Sequence, residues 1–209
     1  QMNFRILKAI SAAVVISAGG IVTAQDTKTL RNQAEEKLKV KDSASAVELF
    51  QKAISSAEDN IEAKKQIHHR LAWVYAWGMS SNHFDKAAEE MVESSKLEKD
   101  PSKRSAVLRS AADYLNRIQG NDGKKIVEII SPIVRESDVN VPEKVACYLV
   151  LANAASRHDM AASMKYIDEA ASLDCDSAGM KNIRFAASGI LMRQTEPDYD
   201  GAVVQLKKL

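Results

Sequence analysis

Residues 44–54 read ASAVELFQKAI and residues 84–95 read FDKAAEEMVESS. Ala46, Phe50 and Ala53 of the first stretch stand at the same spacing as Ala87, Met91 and Ser94 of the second. Residues three and four apart share one face of a helix, so each stretch predicts a helix with a narrow stripe of small and apolar side chains. The triplet returns as Ile126, Ile130 and Ile133, then as Ser163, Ile167 and Ala170, and begins again at Ala202 and Leu206. The steps between its leading residues are 41, 39, 37 and 39.

Ahead of each of these helices lies another with apolar residues at helical spacing, and breakers separate the units: Asp59-Asn60, Asp100-Pro101, Val141-Pro142, Asp174 to Ser177 and Glu196-Pro197. Proline in the first turn of a helix lacks only an amide hydrogen that would find no partner there, so Pro101 and Pro142 mark helix starts. A unit repeated at nearly constant step cannot bury its stripe alone and must stack on its neighbours. The expectation is an all-α fold, a solenoid of about five antiparallel helical hairpins over residues 25–209.

Composition agrees with this class. Hydrophobic residues make up 45% of the 209, aromatic ones only 5%, and the recurring Ala, Glu, Lys and Leu favour helix. The formal net charge is +1, which provides no field to draw in nucleic acid or anionic lipid.

The N-terminus reads as a secretory signal over residues 1–24. A short basic start with Arg5 and Lys8 precedes an uncharged run from Ala9 to Val22, and Val22 and Ala24 put small residues where signal peptidase needs them. Export to the periplasm or the medium is expected, with membrane contact only through the transient signal. Glutamine does not initiate translation, so Gln1 ahead of Met2 raises the expectation of an open-ended fragment. A further domain past Leu209, belonging to an exported enzyme or an envelope assembly protein, is the rival functional reading.

The units resemble tetratricopeptide repeats. Leu71-Ala72 followed by Tyr75 sits in the first helix of the second unit, Phe84-Asp85-Lys86-Ala87 opens its second helix, and Tyr199-Asp200-Gly201-Ala202 repeats that opening in the fifth. The resemblance implies a right-handed superhelix with the first helices lining a concave face. The chain departs from the family in its longer step, in Ile126 where alanine is usual and in lacking an early tryptophan.

Catalytic chemistry finds little support. His68, His69, His83 and His158 form no HExxH spacing, and the chain has no glycine-rich phosphate loop and no GxSxG. Neither an enzyme, a cofactor nor a metal site is expected. Cys147 and Cys175 are the two cysteines, and an oxidising compartment allows them to pair. Folding the fourth hairpin about Arg157 to Asp159 sets Cys147 opposite Ala170, which leaves Cys175 roughly 7 Å further along the helix axis. The pairing and two separate thiols both stand at this point.

The stretch HHRLAWVYAWGM, residues 68–79, carries both tryptophans of the chain. Wound as an α-helix it puts Leu71, Ala72 and Tyr75 on the core face and Trp73 and Trp77 off it. The resemblance carries His69, Trp73 and Trp77 onto groove positions. The same register sends Arg109, Asp113 and Arg117 inward from the third unit, Asn153 and Arg157 from the fourth and Arg184 from the fifth.

Tryptophans beside arginines suit a protein or peptide partner, a partly acidic one in particular. The plainer alternative packs the tryptophans against the preceding hairpin and leaves the arginines as solvated faces. Sugar binding through the tryptophans and self-association through the last hairpin are further readings left open.

Overall fold

Helix starts set the architecture. In the computed structural model, which describes residues 26–194 and 196–207, six helices begin behind an Asp or Asn whose side chain accepts a backbone N–H of the first turn: Asp26, Asp42, Asn60, Asn140, Asp159 and Asp176. Asp100 does the same for two amides, with Pro101 in the first turn. Each cap satisfies a donor the helix cannot, a contribution of about 1 kcal/mol apiece. The signal segment called over residues 1–24 lies outside the described residues.

Among the described residues ten α-helices form five consecutive pairs: α1 (Thr27–Lys39) with α2 (Ser43–Ser56), α3 (Ile61–Trp73) with α4 (Phe84–Lys96), α5 (Pro101–Asn116) with α6 (Lys124–Val134), α7 (Val141–Ala155) with α8 (Met160–Ala171), and α9 (Ser177–Met192) with α10 (Tyr199–Lys207). Each helix packs on the next in sequence, and α5, α7 and α9 also pack in turn as first helices of successive pairs. The described residues contain no strand. The chain is an all-α solenoid of helical hairpins.

The stripe read from the second helices is the core. Ala46, Ala87, Ile126, Ser163 and Ala202 are all buried, as are Phe50, Met91, Ile130 and Ile167 one turn on. Small residues at the leading positions let the two helices of a hairpin come close, and the larger ones fill the gap to the next hairpin. Ser163 shows how polar atoms are tolerated there: its hydroxyl donates to the Ala152 carbonyl at 2.7 Å across the fourth hairpin. One cluster runs from Leu30 in α1 to Ala154 in α7, and a second gathers Val145, Ala152, Ile167, Ile183, Ala187 and Ile190. Tyr148 and Tyr166, ring centres 6.4 Å apart, border both.

Sequence periodicity misses one local feature. After Trp73 the third helix widens into a π-helical turn, Val74–Gly78, before the chain extends at Met79. A helix end leaves its last carbonyls without intrahelical partners. Here the Tyr75 carbonyl accepts from the His83 amide at 2.9 Å, and the Gly78 carbonyl accepts from the Ser43 hydroxyl of the preceding hairpin.

The turn before α6 is the tightest junction between hairpins. Gly123 has φ +83°, and a side chain there would run into the backbone carbonyl of Ala154 at the end of α7. Only glycine meets both demands. Gly123→Ala should therefore destabilise the protein by about 2–4 kcal/mol, read as a lowered midpoint in urea at unchanged slope; an unchanged midpoint would mean the junction can open freely.

Candidate binding surface on the first helices

The N-caps give a register that the apolar stripe alone does not. Counting from Asn60, Asp100, Asn140 and Asp176, His69, Arg109, Leu149 and Phe185 occupy one equivalent position. Trp73, Asp113, Asn153 and Gly189 share a second, and Trp77, Arg117, Arg157 and Arg193 share a third.

At the first of these positions Arg109 faces the next hairpin. One Arg109 Nη donates to both carboxylate oxygens of Glu143 on α7, at 2.9 and 3.1 Å, and the Ser105 hydroxyl donates to the same carboxylate at 2.7 Å. Arg109 is thus committed to the α5–α7 contact. His69 is exposed as a residue, yet enough protein surrounds its ring for desolvation to lower its pKa, with His68 and Lys65 adding positive charge to the same effect. It stays neutral at physiological pH.

The third position forms a row along the solenoid in which each arginine reaches back to the preceding hairpin. The Arg117 guanidinium lies over the Trp77 ring, 5.1 Å from its centre. Arg157 donates to the Asn116 side chain at 2.6 Å and to the Asn121 carbonyl at 3.2 Å. Arg193 donates to the Asn153 side chain at 2.9 Å.

The sequence reading named Arg184 for the fifth hairpin; Arg184 sits half-buried elsewhere on α9, and Arg193 fills the row. The shorter interval between Asn140 and Asp176 displaces the register there. The string of N-cap residues is the sequence signal that could have found it.

Trp73 and Trp77 remain 44% and 46% exposed, which is unusual for side chains of this size and leaves both available to a ligand. They face different neighbours. Trp73 lies toward the first hairpin, with the Arg70 guanidinium 4.5 Å from its ring centre while Arg70 also holds Glu35 through two hydrogen bonds of 2.8 and 2.7 Å. Trp77 lies toward the third hairpin, edge-on to Phe84 at 5.3 Å, and Phe84 stacks on Tyr114 at 6.5 Å. Asp113 is exposed on α5 and Asn153 half-buried on α7.

The surface can supply flat apolar area framed by guanidinium groups. In the loop after the π-helical turn the Ser81 hydroxyl and the His83 Nε2 lie 3.0 Å apart, exposed to solvent. Among the described residues no group of three or more His, Cys, Asp and Glu could hold a metal, and no helix is long and apolar enough to cross a membrane.

The cysteines are separate thiols on opposite faces of α7. Cys147 is buried in the larger core cluster, and burial pushes its thiol up to about 11. Cys175 lies half-buried in the turn before α9, beside Val145 and Gly179. The turn faces the side of α7 that carries Val145, and Cys147 points the other way.

No family model matches the chain, and no curated protein is similar to it in sequence.

Two measurements test the packing. Glu143→Ala strands the half-buried Arg109 guanidinium, while the buried Ser105 hydroxyl keeps the Ser102 carbonyl, and should cost about 1–3 kcal/mol. Glu35→Ala breaks the more exposed pair with Arg70 and should cost under about 1 kcal/mol. Equal losses in urea unfolding would contradict the committed role of Arg109. Titration of the native protein with a thiol-reactive disulfide reagent should detect one fast thiol, lost in Cys175→Ser, with the second appearing only on unfolding.

Proposed function

We propose that this chain is an exported, non-catalytic scaffold of the tetratricopeptide type, which binds a segment of a partner protein across the exposed face of its first helices. The observation that carries the reading is the pair of half-exposed tryptophans on one helix, each with an arginine stacked on it. Large aromatic side chains are the anchors of protein interfaces, because they bury much area at little cost in rotamer freedom. A stacked arginine holds the ring in place.

The fold supports such a role in a general way. Hairpin solenoids present extended surfaces built from equivalent positions of successive repeats, and an extended peptide can run across several of them. Export rests on the basic start, apolar run and small residues that end at Ala24.

The test compares mature wild type with a Trp73→Ala, Trp77→Ala double variant of matched helicity in crosslinked recovery of partners from the native envelope or medium, followed by titration of the recovered partner. Wild type should bind at least about a hundredfold more tightly than the double variant, as the loss of two anchors implies. Equal binding would return the tryptophans to a packing role and overturn the reading.

A further inference from the structure

We propose that the cleft between the first two hairpins, beside Trp73, is a subsite that takes an apolar side chain from a peptide whose flanking residues are acidic. The inference rests on the scaffold reading above and specifies what one part of that surface recognises. The cleft has a volume of ≈ 720 Å³, within the roughly 300–1,000 Å³ typical of sites that enclose a ligand. It opens where the α1–α2 turn meets the π-helical end of the third helix.

Its walls divide by chemistry. Leu38 and Met79 are half-buried apolar side chains that pack against the core, and Trp73 adds the exposed part of its indole. A leucine or phenylalanine placed among them would cover apolar surface that water now touches.

The rim carries Lys39, Lys41 and Arg70 against a single carboxylate, Glu35. That carboxylate is already held by both of its oxygens on Arg70. Lys39 pairs with Glu36 at 2.6 Å, but both side chains are 69% exposed, so solvent screens the pair and it exchanges readily for another carboxylate. Lys41 takes part in none of the ion pairs among the described residues.

Lys41 also occupies the left-handed region, φ 60°, at the end of α1. Its amide donates to the Leu38 carbonyl and the following Asp42 amide to the Lys37 carbonyl, the arrangement that closes a helix C-terminus. The backbone that projects this lysine is therefore fixed. The excess of cations around an apolar floor is what selects an acidic-flanked apolar segment over a basic or a uniformly polar one.

The experiment uses the Trp77→Phe variant, in which Trp73 is the sole tryptophan and reports directly on the cleft. Three blocked hexapeptides serve as probes: one with Leu-Phe between paired acidic residues, one with those acids replaced by lysine, and one with Leu-Phe replaced by Ser-Ser. The first should shift the Trp73 emission and bind at least about tenfold more tightly than either control. Lys39→Glu, Lys41→Glu should weaken it by about tenfold and abolish the preference over the lysine peptide, and salt at about 0.5 M should narrow that preference in the unmutated cleft.

Both lysines are exposed, so helicity should not change, and the neutral Lys41→Gln gives an intermediate loss. Equal binding of the three peptides, or no effect of the lysine changes, overturns the subsite. If wild type still holds its partner through the tryptophan face in that event, the scaffold reading survives. Equal partner binding by the tryptophan double variant removes both.

Discussion

Everything in this fold depends on the inability of a single hairpin to bury its own stripe. Ala46, Ala87, Ile126, Ser163 and Ala202 are buried between packed helices, where side-chain volume sets the distance. The larger residues one turn away then project past the hairpin and need a neighbour to cover them. Stability follows from the stack as a whole, and the core is two clusters that both draw residues from α7.

Polar contacts between hairpins decide alignment more than cohesion. Glu35 with Arg70, Lys65 with Glu98, Arg104 with Glu136 and Arg109 with Glu143 each join one hairpin to the next or to the turn leading into it. Partly exposed pairs of this kind add little free energy apiece. They do penalise sliding of one hairpin along another, because a shift of one turn would separate every pair at once. The row of Arg117, Arg157 and Arg193 works in the same sense from the helix ends.

The helical class, the five units and the buried stripe were legible in the sequence because they arise from periodicity, which a packed helix cannot hide. The tryptophans were legible as off-core residues for the same reason. Their surroundings were not. The π-helical turn after Trp73 comes from a local choice of hydrogen bonds that leaves no periodic trace, and it changes how Trp77 is presented relative to Trp73. The arginines were placed inward by the register that the resemblance implies, and such a register locates a helix face only to within a residue or so. Capping residues locate the helix ends, and with them Arg109 falls between hairpins while Arg193 takes the place assigned to Arg184.

This division of labour among the cations bears on what the surface can recognise. A guanidinium that already grips a carboxylate, as Arg109 and Arg70 do, must release it before it can serve a partner, and the exchange gains little. Arg157 and Arg193 are likewise occupied by amides, and Arg117 presents its face to Trp77. The arginines thus hold the aromatic platform and the stack in position more than they supply charge. In the proposed peptide site, charge selectivity would fall to exposed lysines at the margins of that platform, where Lys39 and Lys41 stand. Because an ammonium group on a flexible stem tolerates many geometries, such a surface would fix the place of an apolar anchor tightly and the order of its acidic neighbours only loosely.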